Sequence, residues 1–352
     1  MKVSVICPTH DRPAMLRRAI AGVLAQEHAD LELLVIADGS TEGTLEAVAQ
    51  ARRDDARVRL LEVRRQGNPA PLRDLALAAA DGGAIAYVDD DDEWLPEHLG
   101  SLLAACDERH PVVVSGAEYR SGDGELLRRV RGPQLAWHPE IAVADPYTEP
   151  SRVLHLRGVP ERAGGWRDLG VGLEDWDLWW RLTAAGIAFQ PVDRVTTRLT
   201  VSETTRRHGV PCAYFLPVHE VGGEAQAADL AHAMCGAPQE RLREATLADL
   251  QAWGDDLLAD RLTVWPCGGA QPAGRRWADA LAQTATGVAE LAPAKLWGRW
   301  HVAIPLWCAD AAHSRAAERV LRRRQPRQLQ ILGDLAAAAD RSSHLTNERI
   351  PA

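Results

Sequence analysis

Short apolar segments alternate with amphipathic segments along the first 120 residues of the chain. The apolar segments span four to seven residues, a length and composition typical of strands buried on both faces. The segments between them carry apolar residues at helical spacing. The predicted strands are 3–7, 31–37, 58–63, 84–88 and 112–115, and the predicted helices are 13–25, 44–51, 72–80 and 96–106. This alternation predicts an α/β fold with a mostly parallel sheet and helices on both faces.

The pattern changes in the rest of the chain. Residues 120–160 are predicted to be irregular, and residues 187–201 alternate in the manner of strands. The further predicted helices are 174–185, 225–233, 239–260, 277–291 and 311–324. We therefore expect two domains, 1–210 and 211–352, with a boundary near 205–215 and a mainly α-helical second domain.

Composition and charge narrow the functional class. The chain has 352 residues, of which 46% are hydrophobic, and a formal net charge of -9. Generic nucleic-acid binding needs a basic surface, so we expect no nucleic-acid partner. Among the 40 basic residues only Lys2 and Lys295 are lysines. This bias is typical of a GC-rich genome, and the number of arginines is therefore no evidence of phosphate binding.

Cysteine spacing and the apolar stretches bear on the compartment. The six cysteines include no CxxC pair, which argues against a zinc cluster and a redox pair. The chain starts directly with a predicted strand, so we expect no signal peptide. No uncharged apolar stretch reaches 18 residues, so we expect no membrane span. These features predict a cytoplasmic protein.

An arginine-rich stretch near the C-terminus has two interpretations. It places six arginines around a single acid, Glu318, and these are Arg315, Arg319, Arg322, Arg323, Arg324 and Arg327. The first interpretation is a solvated helix face. The second is contact with anionic lipid or a phosphorylated acceptor, which would put the protein at the membrane surface.

Four consecutive aspartates, Asp89 to Asp92, follow the fourth predicted strand. Ligands of parallel α/β sheets bind at the carboxyl ends of the strands, where this run lies. Crowded carboxylates raise one another's pKa unless a cation compensates them, and carboxylate oxygens suit Mg²⁺ or Mn²⁺. In an extended chain Asp89 and Asp91 would point one way and Asp90 and Asp92 the other. The alternative is a solvated acidic turn that caps the next helix.

Two further segments carry candidate chemistry. Arg73 falls one turn into a predicted helix, where its guanidinium would face a diphosphate; a surface arginine is the alternative. Asp175 shares a helical stripe with Leu178 and Trp179, which places it in the first turn above an apolar seam. For Glu174 and Asp175 the alternative is an ordinary helix cap.

Five segments in this order resemble family 2 of the nucleotide-sugar glycosyltransferases, which have the GT-A fold. The segments are 3–12, 35–41, 68–73, 89–96 and 164–182, and the resemblance covers about residues 1–210. It implies an enzyme that transfers a sugar from a nucleoside-diphosphate sugar, most simply a UDP-sugar, to an acceptor hydroxyl or other nucleophile. The implied reaction is a single displacement with inversion, and the implied cofactor is Mn²⁺ or Mg²⁺.

The resemblance also implies roles for single residues. Asp175 matches the catalytic base and Asp91 the direct metal ligand. His208 falls where some members carry a histidine near the metal; a solvated loop histidine is the alternative. The residues implied in binding the nucleotide sugar are Pro8, Thr9, Asp11, Arg12, Asp38, Arg73, Asp89 and Asp90. Beside the base lie Trp166, Glu174 and Trp176, and either indole would stack on the acceptor, with core packing as the alternative.

Two positions depart from the family pattern. Gly39 follows Asp38 where two adjacent acids are common, and Asp74 stands where an asparagine usually follows Arg73. Neither departure removes a required charge. Both bear on nucleotide preference.

Two other functions are consistent with a fold of this class. A sugar-nucleotide nucleotidyltransferase would favour a glycine-rich loop with a lysine near the N-terminus, and residues 3–13 contain neither. A catalytically silent binding module should have lost Asp91 or Asp175, and both are present. The acceptor classes left open are a saccharide, a lipid-linked sugar, a peptide and a natural product. The second domain would bind the acceptor or form a homo-oligomer.

Overall fold

A computed structural model of the chain describes residues 1–131, 137–144, 148–170, 172–201, 214–235, 239–259 and 291–347. These residues form two compact units, one within residues 1–210 and the other within residues 211–352. The boundary predicted near 205–215 falls mainly outside the described residues, as does the helix predicted at 277–291.

The first unit is built on one sheet. Its strands are β1 (Val3–Thr9), β2 (Leu31–Asp38), β3 (Val58–Val63), β4 (Ala84–Tyr87), β5 (Glu93–Trp94), β6 (Val112–Ser121), β7 (Leu126–Val130), β8 (Val153–Leu156) and β9 (Phe189–Val201). The order across the sheet is β3-β2-β1-β4-β8-β6-β9-β5, and β7 pairs with β6. Strands β1 to β4 are parallel, and β9 is parallel to β6. The sheet is mixed because β8 lies antiparallel between β4 and β6.

Helices cover both faces of this sheet. They are α1 (Pro13–Leu24), α2 (Glu42–Asp54), α3 (Pro69–Ala79), α4 (His98–Leu103), α5 (Pro139–Ala144) and α6 (Glu174–Ala184). Val5 and Leu33 pack in a core with α1 and α2, whereas Ile6 and Leu34 pack in a second core with α3 and α6. Alternate side chains of each central strand pack in the two cores, which explains why the strand sequence is continuously apolar. The predicted α/β fold is confirmed.

The prediction was wrong for residues 120–160. This segment contains β7, α5 and β8 instead of an irregular chain. In β7 four of the five residues are exposed, so the strand lacks the apolar signal on which the prediction depends. Strand β8 is only four residues long, although three of these are buried.

The second unit combines helices with a small sheet. Its strands are β10 (Tyr214–Val221), β11 (Ala292–Leu296) and β12 (Arg299–Leu306), and its helices are α7 (Glu224–Cys235), α8 (Gln239–Ala259), α9 (Ala311–Arg324) and α10 (Pro326–Asn347). The strands are antiparallel in the order β10-β12-β11. The helices α7, α8 and α9 confirm the predicted helical character; the three strands were not predicted.

Part of the arginine-rich stretch is neutralised within the second unit. Arg322 pairs with Glu318 at 2.9 Å, Arg324 pairs with Asp256, and Arg327 lies 3.2 Å from Asp249. These contacts favour a structural face over a lipid-binding one. Within the described residues, no helix is both long enough and apolar enough to cross a bilayer.

Candidate active site

The four aspartates form a tight turn at the carboxyl end of β4. The backbone N–H of Asp92 donates to the carbonyl of Asp89 at 3.1 Å, which folds the chain back on itself. The prediction that the side chains alternate along an extended chain is therefore wrong. Asp90 and Asp91, expected on opposite sides, both contact the guanidinium of Arg12.

The last aspartate anchors the turn to the sheet. Asp92 is buried, and its carboxylate accepts from Ser151 Oγ at 2.5 Å and from the backbone N–H of Thr200 at 3.1 Å. Thr200 Oγ1 also donates to the carbonyl of Asp91 at 2.6 Å. Burial raises the pKa of Asp92, and the charges of Asp91 and Asp89 raise it further. Asp92 thus has a structural role, and the other three aspartates remain for the site.

The middle two aspartates differ in their access to solvent. Thr9, at the end of β1 after the buried Pro8, donates from Oγ1 to Asp90 at 2.7 Å. Arg12 Nη1 lies 3.1 Å from Asp90 and 3.0 Å from Asp91. The Asp90 side chain is 8% exposed and that of Asp91 27%. Burial and the charges of Asp89 and Asp90 raise the pKa of Asp91 to about 6. Of Asp90 and Asp91, Asp91 is therefore the carboxylate that is more accessible to solvent, and the neighbouring aspartates disfavour its charged form.

The donor atoms at this turn suit a hard divalent cation. Mg²⁺ and Mn²⁺ are held by one or two carboxylates, with water and substrate phosphate completing the shell. Asp91 supplies an accessible carboxylate of this kind next to Asp90. Among the residues that the structure describes, no group of three or more His, Cys, Asp or Glu side chains forms a metal site by itself. The residues present fit an ion that shares its coordination with a ligand.

Two loop carboxylates position the neighbouring loops. Asp11, at φ 50, accepts from the backbone N–H and Oγ1 of Thr41 at 2.6 and 2.7 Å. Asp38, at the end of β2, is 2% exposed and accepts from the backbone N–H groups of Gln66 and Gly67 at 2.5 and 3.0 Å. Asp38 thus binds the loop that follows β3, and its direct contact with nucleotide stays a prediction.

Arg73 joins the aspartate turn to the start of α6. It lies in α3 as predicted, but it is 2% exposed and does not face solvent. Its Nη2 donates to Asp89 at 2.7 Å, and its Nη1 lies 3.6 Å from Glu174. The guanidinium also stacks over Trp166, 4.6 Å from the ring centre. Burial opposes the charged form of Arg73, but Asp89, Glu174 and Asp175 raise its pKa above the usual value.

The candidate base stands in the first turn of α6. Asp175 and Glu174 are each 7% exposed, and Leu178 and Trp179 below them are fully buried. The predicted stripe is therefore confirmed. Asp175 Oδ1 accepts from the N–H of Trp176 at 2.8 Å. The charge of Asp175 acts on Arg73, as does that of Asp89. Asp175 and the aspartate turn thus belong to one electrostatic cluster around Arg73.

Both tryptophans beside the base belong to the core. Trp166 is 4% exposed, donates from Nε1 to the hydroxyl of Tyr87 at 3.2 Å and packs edge-on against Trp179. Trp176 is 6% exposed and donates to the carbonyl of Ala142 at 3.0 Å. Neither indole presents a face to solvent, so the core-packing alternative holds in place of acceptor stacking.

Two hydrogen bonds that the sequence pattern did not reveal fix the loop before α6. Asn68 caps α3 through Oδ1 and donates from Nδ2 to Asp168 at 2.6 Å. Asp74, the departure from the family pattern, accepts the N–H of Trp166 at 2.9 Å. The loop that carries the tryptophan is thereby held against α3. Asp74 has a structural role that an asparagine oxygen could also perform.

Asp177 is a further residue that the sequence analysis missed. It is fully buried and accepts from Arg167 Nε at 3.0 Å and Arg181 Nη2 at 2.6 Å. The spacing of Asp177 and Arg181, one helical turn apart, was the available signal. The cluster ties the loop before α6 to the helix itself.

Replacing Asp177 with asparagine is expected to lower the free energy of unfolding by about 3 kcal/mol, because two guanidinium groups lose a buried counter-charge. Urea denaturation measures this effect. The control is Glu161→Gln, at an exposed acid in the short helical turn Pro160–Ala163 that precedes the loop. Equal stability of the two variants would contradict a structural role for Asp177.

Similarity to known proteins agrees with this geometry. Residues 4–163 match the model of the family described as Glycosyl transferase family 2. The match includes the aspartate turn and Arg73 and ends before Asp175. The predicted metal neighbour His208 lies outside the described residues.

Two curated relatives match the first part of the chain. GalNAc(5)-diNAcBac-PP-undecaprenol beta-1,3-glucosyltransferase of Campylobacter jejuni is 30% identical over 145 residues, which cover 41% of this chain and 47% of that enzyme. Succinoglycan biosynthesis protein ExoO of Rhizobium meliloti is 30% identical over 142 residues, 40% of either chain. The matched segments thus span less than half the length of these relatives.

One solved structure supports the fold. TarS of S. aureus, residues 1–349 in complex with UDP-GlcNAc, aligns with a TM-score of 0.50 and 18% identity over 62% of this chain and 63% of that one. At this identity the likeness concerns the fold alone. With the ordered motifs and the family match, it places the first unit among GT-A folds. Residues 4–163, a little under half of the chain, thus match glycosyl transferase family 2.

Proposed function

We propose that the chain transfers a sugar from a UDP-sugar to an acceptor hydroxyl, with inversion at the anomeric carbon. The observation that carries this proposal is the contact of one buried guanidinium, Arg73, with both Asp89 and Glu174. It brings the aspartate turn, which the family match includes, next to the helix start that holds Asp175. The family match of residues 4–163 and the UDP-GlcNAc bound to TarS support the donor class.

On the donor side, the chain provides an anionic turn with the cationic side chain of Arg12 beside it. A divalent ion held by Asp91 would supply positive charge to the leaving diphosphate. Thr9 orients Asp90, Asp38 holds the loop 65–67, and Arg12 offers further donors for phosphate oxygens. The leaving group is already a good one, so a protein acid to protonate it is unnecessary.

On the acceptor side, the chain provides one carboxylate as general base. The acceptor hydroxyl must lose its proton as it attacks, and Asp175 would take that proton at its carboxylate. Attack from the face opposite the diphosphate inverts the configuration in one displacement. A covalent sugar–enzyme intermediate is therefore not part of the proposal, and no second nucleophilic carboxylate is required.

The test is a panel of nucleoside-diphosphate sugars incubated with the protein and Mn²⁺ or Mg²⁺. We expect one UDP-sugar to raise the thermal midpoint and to release UDP slowly by hydrolysis, with the release lost in EDTA. The matched control is Asp175→Asn, which should keep the thermal shift and lose the release.

Other results would favour the alternatives. Pyrophosphate formation from a nucleoside triphosphate and a sugar phosphate would identify a nucleotidyltransferase. Donor binding with no release in any condition, with or without candidate acceptors, would identify a silent binding module. No binding of any sugar nucleotide would contradict the proposal as a whole.

The acceptor proposal follows from the relatives. The enzyme of C. jejuni is named for transfer to a lipid-linked saccharide, and ExoO for succinoglycan biosynthesis. We propose a saccharide or lipid-linked saccharide acceptor for this chain. The reaction would then occur in the cytoplasm at the membrane surface, and residues 211–352 would bind the acceptor.

A further inference from the structure

We propose that Arg12 occupies the cation position at the aspartate turn until a diphosphate arrives, so that ion and donor bind together. This inference rests on the proposed function, because it concerns the ion that the donor diphosphate would share. When the donor binds, the guanidinium of Arg12 would leave the carboxylates of Asp90 and Asp91 and pair with the phosphate oxygens of the donor.

The position of the guanidinium carries the argument. A single nitrogen, Nη1 of Arg12, lies 3.1 Å from Asp90 Oδ1 and 3.0 Å from Asp91 Oδ2. It therefore bridges two carboxylates of the turn, as a small cation would. Of the two carboxylates that Arg12 contacts, that of Asp91 is the more exposed to solvent. An ion that approaches Asp91 must compete with Arg12 for that carboxylate.

The charge of the turn explains why Arg12 is held there. Three further carboxylates lie in the same turn as Asp91, within the run Asp89 to Asp92, and like charges this close repel one another. A guanidinium nitrogen of Arg12 lies within 3.1 Å of two of these carboxylates, those of Asp90 and Asp91. In the absence of an ion, Arg12 thus supplies the compensating charge, and its loss would leave the turn more attractive to any other cation.

The exposure of Arg12 permits it to leave. Its side chain is 53% exposed, and no side-chain hydrogen bond of Arg12 caps helix α1. Asp90 keeps a second donor, Thr9 Oγ1 at 2.7 Å, when the guanidinium departs. A planar guanidinium pairs readily with two phosphate oxygens. The departure is therefore compensated only when a diphosphate is present, which couples the binding of the ion to the binding of the donor.

The test measures Mn²⁺ binding in the absence of nucleotide, from the electron paramagnetic resonance signal of free Mn²⁺. We expect Arg12→Gln to bind Mn²⁺ about tenfold more tightly than the wild type, a modest factor because the ion pair is partly solvated. We also expect the tightening of Mn²⁺ binding by UDP to fall by a similar factor. The matched control is Arg17→Gln, at an exposed arginine of α1, the helix that directly follows Arg12, which should behave as the wild type.

A double variant locates the gained affinity. In Arg12→Gln combined with Asp91→Asn, the gain should disappear, because the ion loses its carboxylate. Unchanged or weaker Mn²⁺ binding by Arg12→Gln would overturn the inference, and so would a gain that survives the double substitution. If no variant binds Mn²⁺ with or without UDP, both this inference and the metal part of the proposed function fail. If Arg12→Gln gains affinity but no sugar nucleotide is turned over, the proposed reaction alone fails.

Discussion

Asparagine in place of Asp175 is expected to lower the rate of sugar transfer about a thousandfold, within the range measured for loss of a general base. The amide oxygen can still accept the N–H of Trp176, so the first turn of α6 should remain intact. What is lost is the capacity to take a proton from the acceptor hydroxyl. Release of UDP in a single turnover with acceptor measures the rate, and calorimetric titration with UDP and Mn²⁺ measures nucleotide binding.

The binding measurement gives this prediction its specificity. Nucleotide affinity should stay within about twofold of the wild type, because the aspartate turn is untouched. Glu161→Gln, an exposed acid to neutral substitution, controls for a general effect of charge. Full transfer by Asp175→Asn would remove it as the base and would direct attention to Glu174, its neighbour in the cluster around Arg73.

The second large effect is expected from Asp91→Ala. Loss of the accessible carboxylate removes the ligand that the ion would share with the diphosphate, so UDP binding should no longer respond to Mn²⁺. We expect the wild type to bind UDP at least about tenfold more tightly with Mn²⁺ than with EDTA, and the variant to show no such difference. Asp54→Ala, at the exposed end of α2, serves as the control. An unchanged response to Mn²⁺ in Asp91→Ala would refute the metal role of this residue.

The features that could be predicted from the sequence are those that depend on the spacing of apolar residues and on the order of motifs along the chain. The buried strands, their helices and the position of the aspartate run followed from apolar segments of regular spacing. The five ordered segments led to the family resemblance, which the match of residues 4–163 to the family model supports; TarS supports the fold. The helical stripe under Asp175 also followed from spacing, because a helix places residues three and four apart on one face.

The remainder depends on contacts between distant segments, which a single sequence does not display. The alternation expected for Asp89 to Asp92 failed because a hydrogen bond from Asp92 to Asp89 bends the chain. Arg73 was expected to face a diphosphate, with a surface arginine as the alternative; the sequence did not reveal that Asp89 and Glu174 provide the counter-charges that make its burial tolerable. The roles of Trp166 and Trp176 were equally undetermined, since the surroundings of an indole decide whether it packs or binds.

The hydrogen bonds from Thr200 to the aspartate turn have a consequence for how the protein is made. Asp92 and Thr200 are 108 positions apart, so the turn gains this anchor, in addition to Ser151, only after β9 has been synthesised and has paired with β6. A ribosome-bound chain that stops at residue 163, where the family match ends, would carry Thr9, Arg73 and all four aspartates without the strand that completes their anchoring. Long-range closure of this kind delays folding until late in synthesis. The nascent chain should therefore acquire nucleotide binding in one late step, when residue 200 leaves the exit tunnel.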